Sequence, residues 1–240
     1  MFYYLIRSSL QYNLILIAAA IIPAVFLMIK VYRSDRLEPE SPSLLWSLAL
    51  AGVLSALLAL VAERVLGSLT RLIFGNGTIY QILLYFVVVG LSEEGAKYLL
   101  LKRRTWNSWE FNCQYDAVVY AVFVSLGFAL WENISYVLHY GFTTALVRAV
   151  TAIPGHTCFG VFMGAFYGMA RRAENNGQHE ASRLYRVLAV LVPVLLHGTY
   201  DYIASVDGST WYFIAFIAVL FAIAYSLVVR MSRADRYIKK

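Results

Sequence analysis

The chain has 240 residues, of which 60% are hydrophobic and 14% charged, and its formal net charge is +6. Soluble domains are about half apolar and about a quarter charged, so this composition excludes a water-soluble protein and indicates a membrane domain with short loops. The basic residues lie mainly between apolar segments, a distribution typical of membrane topology rather than nucleic-acid binding.

Seven apolar stretches approach the roughly 20 residues that a helix needs to cross the hydrocarbon core of a bilayer. In chain order we predict spans at 14–31, 44–62, 79–101, 117–138, 145–170, 187–204 and 211–229. The first is too long for a signal peptide and is followed by Lys30, Arg33 and Arg36 instead of a cleavage site, so we interpret it as a retained helix. Cys113 and Cys158 do not support a disulfide framework.

Lysine and arginine fall unevenly on the two sides of these spans. Three of them, Arg7, Arg64 and Arg71, are on the side of the N-terminus, and fifteen are on the opposite side. This asymmetry predicts an N-terminus outside and a C-terminus in the cytoplasm, with an odd number of helices. We therefore predict an all-α membrane protein, one polytopic domain over residues 1–240. Arg148, near an outer helix end, is expected to snorkel towards the interface.

Ionisable side chains recur inside the third to sixth spans. They are Glu93, Glu94, Lys97, Glu132, His156, His197 and Asp201. A charged group at the bilayer centre costs at least ~2.5–3.5 kcal/mol on insertion scales, so seven of them on four successive helices predict a functional polar centre.

Helical spacing predicts how some of these side chains meet. Residues four apart share a face, so Glu93 can pair with Lys97, and Asp201 can orient the imidazole of His197. Glu94 points about 100° away from Glu93, so one carboxylate can face a cavity while the other bonds within the bundle. Four-residue steps from His156 through Gly160, Gly164 and Gly168 form a small-residue ridge that lets another helix approach closely.

Two hydrolytic mechanisms are open to such a centre. A glutamate can take a proton from water while a histidine binds the oxyanion and protonates the leaving amine. Alternatively, Glu132, His156 and His197 could hold a zinc ion with a free position for water. The soluble zinc-protease motif H-E-x-x-H is absent, and the sequence does not separate the two mechanisms.

Four short motifs occur in order on successive helices. Glu93 to Lys97 reads EExxK, Phe128 to Glu132 reads FxxxE, His156 to Gly160 reads HxxxG, and His197 to Asp201 reads HxxxD. This set resembles the PrsW intramembrane proteases, relatives of the CAAX prenyl protease and bacteriocin-immunity superfamily. The segment 32–40 also looks like the family's stretch after its first helix, and the resemblance covers about residues 30–205.

The resemblance implies site-1 cleavage of a membrane-anchored anti-sigma factor in the bacterial cytoplasmic membrane, as part of a stress response. It implies a catalytic core at about 79–205. Glu93 and Glu94 would be catalytic, one of them as the base. Glu132 matches a position that the CAAX branch fills with histidine.

The remaining motif residues would complete the site. His156 and His197 would be catalytic or metal-binding, Asp201 would orient His197, and Lys97, Phe128 and Gly160 would support the centre. The resemblance is compatible with either zinc or no cofactor, because the family is labelled metalloprotease while its CAAX relatives are described as using glutamate without an obligatory metal. Two alternatives stay open: a proton-coupled transporter, and a non-catalytic immunity or binding protein on the same scaffold. The lack of an inverted repeat and of broken helices argues against the transporter.

Overall fold

The computed structural model of the protein describes residues 2–238, with side chains from residue 11 onward, and its regular structure is helical. The elements are α1 (Phe2–Tyr32), α2 (Pro42–Phe74), α3 (Thr78–Leu83), a π-helical segment (Leu84–Leu91), α4 (Ser92–Thr105), α5 (Asp116–Tyr140), α6 (Phe142–Val150), α7 (Ala152–Asn175), α8 (His179–Ser205) and α9 (Thr210–Arg233). An isolated antiparallel bridge joins Cys113 to Tyr237.

Seven helical stretches within the described part of the chain are long and apolar enough to cross a membrane. The third combines α3, the π-helical segment and α4, and the fifth combines α6 and α7. The predicted all-α bundle of seven spans is therefore confirmed. The sidedness of the termini, and the assignment of residues 1–240 as one domain with a catalytic core at 79–205, stay predictions.

Helix α2 shows how the local sequence sets an element's limits. Ser41 accepts a hydrogen bond on its hydroxyl from the Leu44 N–H, and Pro42 occupies the first turn, where its missing N–H costs nothing. The helix then continues to Phe74, twelve residues beyond the predicted end of the second span, and stops at Gly75, which has φ +67°. Arg64 and Arg71 therefore lie on a helix rather than in a loop.

Helix α5 is the centre of the bundle and packs against α7, α2 and α1. Glycines make these contacts close. A Cβ on Gly127 would clash with the Ala49 carbonyl oxygen, and a Cβ on Gly164 would lie 2.5 Å from the Val118 Cα. The predicted glycine ridge on α7 is thus confirmed as the surface that seats α7 against α5.

The fifth span is broken at Thr151 because of Pro154, three residues later. Proline has no N–H to donate to the carbonyl of Val150, and its ring clashes with that carbonyl in a continuous helix. The chain therefore ends α6 at Val150 and begins α7 at Ala152, so that Pro154 falls in a first turn. The sequence argument that no helix is broken was therefore wrong at Thr151, whereas the π-helical segment continues directly into α4.

Candidate active site

Three motif residues of α4 meet around one ammonium group. Lys97 Nζ lies 2.7 Å from Glu94 Oε1 and 3.2 Å from Glu93 Oε2, and it sits 3.8 Å from the centre of the Phe128 ring. The side chains of Lys97 and Glu94 are fully buried. The predicted pairing of Glu93 with Lys97 is confirmed, and Glu94 joins the same pair. The π-helical segment immediately precedes this turn, and π-helical turns are frequent at functional sites.

The ring of His156, on α7, contacts both Lys97 of α4 and Glu132 of α5. Its Nδ1 lies 3.3 Å from Lys97 Nζ, and its Nε2 lies 2.9 Å from Glu132 Oε2. A lysine ammonium can only donate, so Nδ1 accepts, while Nε2 carries the hydrogen and donates it to Glu132. Glu132 therefore sets the orientation of the ring, in the way that carboxylates orient histidine ligands.

His197 on α8 approaches the same carboxylates from the other side. Its Nδ1 lies 2.9 Å from Glu94 Oε1 and 3.8 Å from Glu93 Oε2, and its Nε2 lies 3.5 Å from Asp201 Oδ2. The two imidazole rings are 5.3 Å apart between centroids. In both rings Nδ1 therefore faces the side chains of Glu94 and Lys97 on α4, and Nε2 faces the carboxylate of a residue on another turn or helix.

Arg148 on α6 belongs to this network, so the expectation that it snorkels was wrong. One of its terminal nitrogens lies 3.0 Å from Glu132 Oε2, and its Nε donates to Asn133 Oδ1 at 2.8 Å. The guanidinium also stacks over the Tyr136 ring, 4.1 Å from its centroid. The rule that an ionisable residue inside an apolar segment has a functional partner could have identified it.

A cavity of about 630 Å³ opens beside the cluster. Its ionisable lining consists of Glu63, Glu93, Glu132, His197 and Asp201, and apolar and aromatic side chains with two serines complete the wall. Glu63 was missed because it lies one residue beyond the predicted end of the second span. Glu93 borders the cavity while Glu94 is enclosed behind it, as the 100° offset between them predicts.

The structure therefore brings together the six residues predicted as catalytic, from α4, α5, α7 and α8, and the two supporting residues Lys97 and Phe128. Gly160 lies one turn from His156 and faces α5, where an added Cβ would lie 2.9 Å from the Ser125 hydroxyl oxygen. It supports the site by close packing and touches none of the ionisable groups.

The donors of this cluster fit a metal ion by type. One ligand atom each of Glu93, Glu94, His156 and His197 lies within 4.8 Å of the others, and Glu94 Oε2 is buried without a hydrogen bond. Two imidazoles with carboxylates are a zinc-type donor set. Lys97 contacts three of these four residues, so its ammonium competes with a metal for the same donors. Glu132, included in the predicted metal set, instead contacts the Nε2 edge of His156.

A polytopic helical bundle that encloses carboxylates and imidazoles beside a cavity contains the groups that an intramembrane hydrolase needs. A family model described as PrsW family intramembrane metalloprotease matches residues 40–228. Proteins named Protease PrsW are similar along most of their length. The protein of Halalkalibacterium halodurans is 30% identical over 92% of this chain and 99% of its own. The protein of Geobacillus kaustophilus is 33% identical over 78% of this chain and 79% of its own length. The protein of Bacillus subtilis is 30% identical over 85% of this chain and 90% of its own length.

The chain belongs to the PrsW family and is an intramembrane protease. No solved structure matches it. Membership of this family decides against the transporter and the non-catalytic alternatives, and it confirms the predicted class of enzyme and the multi-pass membrane location.

Proposed function

We propose that this protease cuts a membrane-anchored anti-sigma factor as a site-1 protease of the bacterial cytoplasmic membrane, using water activated by Glu93. The observation that carries the proposal is the contact of Glu93, Glu94, His156 and His197 around a single centre, with Glu93 and His197 open to the cavity. Hydrolysis inside a bilayer needs a polar compartment for water, a base and an oxyanion partner, and this arrangement contains all three kinds of group.

In this mechanism Glu93 is the general base because it borders the cavity, whereas Glu94 is enclosed by Lys97 and His197. A carboxylate oxygen of Glu93 takes the proton of a water molecule whose oxygen attacks the peptide carbonyl carbon. The imidazole of His197 stabilises the developing oxyanion, and the proton passes to the leaving amine as the C–N bond breaks. Glu132 and Asp201 hold the two imidazoles in place from their Nε2 edges.

A bound metal would be held by Glu94, His156 and His197, which leaves Glu93 free as the base. It would supply Lewis-acid polarisation of the substrate carbonyl and of water. Metal analysis of the purified protein tests this assignment directly. We expect about one zinc per chain, and loss of that zinc in the His156→Ala and His197→Ala variants. Purified active protein without metal would favour the glutamate mechanism alone.

The substrate assignment is supported by where the cavity lies along the bundle. Its lining includes Glu63 late in α2, Tyr136 late in α5 and Ser205 at the end of α8. These ends lie on the side that the lysine and arginine distribution predicts to be outside. A substrate cut there would be a single-span protein entering from its outer juxtamembrane segment, which suits the first cleavage of a tethered anti-sigma factor.

Co-expression with a tagged, membrane-anchored anti-sigma factor tests the activity and the site together. We expect cleavage by the parent protein, none by Glu93→Gln or His197→Ala, and full cleavage by Glu180→Gln, a surface glutamate that pairs with Arg183. Normal cleavage by both site variants would refute the catalytic roles. Failure of the parent to cut this class of substrate, while it cuts another tethered protein, would refute the substrate assignment alone.

A further inference from the structure

A second group of acidic side chains lies at the end of the bundle remote from the cavity. Asp35 and Glu40 belong to the loop between α1 and α2, and Asp116 begins α5. One carboxylate oxygen from each of these three residues lies within 4.8 Å of the others. Asp116 and Glu132 are both on α5, so at 1.5 Å per residue this group is roughly 24 Å from the active site.

Two of these carboxylates are buried more deeply than ordinary loop acids. Asp116 is 1% exposed and Glu40 is 5% exposed. Asp116 Oδ2 accepts hydrogen bonds from the backbone N–H groups of Asn112 and Cys113, while its Oδ1 is buried without an N–H or hydroxyl donor. Asp116 and Glu40 can hydrogen-bond to each other only when one of the two carboxyl groups holds a proton. Both oxygens of Asp35 are also buried without a hydrogen bond of normal geometry. Unsatisfied buried carboxylate oxygens in such proximity point to a ligand that they lack.

Basic side chains in the part of the chain whose side chains the structure describes do not fill that role. The side predicted to be cytoplasmic holds fifteen lysines and arginines in all. None of the ion pairs that the side chains of residues 11–238 form includes Asp35, Glu40 or Asp116. The neighbouring Arg36 is exposed. Burying several uncompensated negative charges is costly, so a proton or a bound cation must offset them.

We propose that Asp35, Glu40 and Asp116 bind a hard divalent cation, Ca²⁺ or Mg²⁺, that fastens the α1–α2 loop to the start of α5. An all-oxygen donor set selects these ions over zinc or copper. The hydroxyl of Tyr120, which donates to Glu40 Oε2 at 2.6 Å, positions that carboxylate.

The start of α5 also contacts the segment that follows α9. Asp235, beyond α9, accepts a hydrogen bond from the Tyr115 N–H, and the N–H of Ile238 donates to the Asn112 carbonyl. Three parts of the chain that are distant in sequence therefore converge at this end. A bound ion would stabilise the folded bundle by mass action, because the unfolded chain does not hold these carboxylates together.

Thermal unfolding of the purified full-length protein in detergent tests the proposal. After treatment with chelator, we expect addition of MgCl₂ or CaCl₂ to raise the Tm by at least ~2 °C above NaCl of equal ionic strength. The Asp116→Asn variant, which keeps an acceptor for the two backbone N–H groups, should lose this rise. The matched control Asp207→Asn, exposed on the opposite side, should keep it. No divalent-specific rise in the parent, or an equal rise in Asp116→Asn, would overturn the proposal.

Terbium luminescence provides a second readout should Asp116→Asn fail to fold. Tb³⁺ is also bound by carboxylates, and Tyr120 lies close enough to sensitise its emission. We expect emission from the parent that Ca²⁺ or Mg²⁺ displaces, and the ion effective at lower concentration identifies the preferred ligand. The Glu40→Gln variant, which retains an acceptor for Tyr120, should lose this emission. Undiminished emission from that variant would refute the site.

Discussion

At the scale of single residues, the arrangement of the two histidines defines the site. Both present Nδ1 to the α4 carboxylates and Nε2 to a separate acid, Glu132 for His156 and Asp201 for His197. A carboxylate on the far nitrogen fixes the orientation of the ring and raises its basicity. The two rings therefore depend on these acids for their position, and the acids in turn depend on their own partners.

Arg148 is the partner of Glu132, so we expect its loss to impair catalysis. The Arg148→Gln variant removes the ion pair that holds Glu132 against His156, and outer-sphere changes of this kind cost about 10–100-fold in activity. Cleavage rates of a tethered substrate should fall by that factor, and Arg148→Lys should recover part of the loss. Arg183→Gln, which removes an exposed pair, is the control. Unchanged cleavage by Arg148→Gln would show that Glu132 needs no such support.

Much of the site was predictable from residue identity and spacing. An i to i+4 relation brings Glu93 to Lys97 and His197 to Asp201 through helical geometry alone. The contacts of His156 with Lys97 and of His197 with Glu94 join residues 59 and 103 positions apart. Such contacts depend on how helices pack, so the sequence predicted a common polar centre for these residues without specifying which of them pair across helices. Arg148 and Glu63 lay at the limits of predicted spans, where an ionisable residue also has an ordinary interfacial role.

At the scale of elements, hydropathy predicts where spans occur and says little about their internal shape. The seven segments were predicted because each contains enough apolar residues to cross a bilayer. The π-helical segment Leu84–Leu91 has no comparable signal in its strongly apolar sequence. The break at Thr151 did have a signal, Pro154, and could have been predicted.

The contact of α7 with α5 gives a prediction about stability. A Cβ at Gly164 would lie 2.5 Å from both the Ala117 carbonyl oxygen and the Val118 Cα, so the helices must separate. We expect Gly164→Ala to lower the free energy of unfolding by about 1–3 kcal/mol. Gly67→Ala in α2 is the matched control, because its Cβ would meet Val88 at an ordinary 3.7 Å.

The control should gain about 0.5–1 kcal/mol from the better helix propensity of alanine. Unfolding of both variants in mixed micelles, compared with the parent, measures the difference. Equal stability of the two variants would mean that the close approach of α7 to α5 is wrong.

At the scale of the whole molecule, the two ends of the bundle carry different chemistry. The cavity and its catalytic cluster lie towards the ends of α2, α5 and α8, while the acidic group at Asp35, Glu40 and Asp116 lies at the beginnings of α2 and α5. Helix α5 runs between the two and contributes to both. Changes at the acidic end should therefore affect stability before they affect cleavage.

From the burial of Glu40 in this acidic group, we predict that stability depends on pH when divalent ions are absent. Burial, together with the negative charges of Asp35 and Glu110, raises the pKa of Glu40 to about 7, although hydrogen bonds with Tyr120 and Asp116 act in the opposite direction. The folded state then binds this proton more tightly than the unfolded state. Stability is therefore highest below about pH 4.5 for this group, and it falls as the pH rises through 7.

Thermal unfolding between pH 5 and pH 8, in chelator, measures this dependence. We expect the Tm of the parent to fall across that range and the Tm of the Glu40→Gln variant to fall by less. Parallel curves for the two proteins would show that Glu40 does not titrate there.

The central claim is that side chains from four spans act as one hydrolytic centre, and a double-mutant comparison of cleavage rates tests it most directly. Residues that act as a unit are strongly non-additive, because loss of one already removes the function of the others. We predict that purified Glu93→Gln and His197→Ala proteins, reconstituted with a tethered substrate, each lose nearly all cleavage. The double variant should then be no slower than either single one. Independent, multiplying losses, or near-normal cleavage by either single variant, would contradict the account.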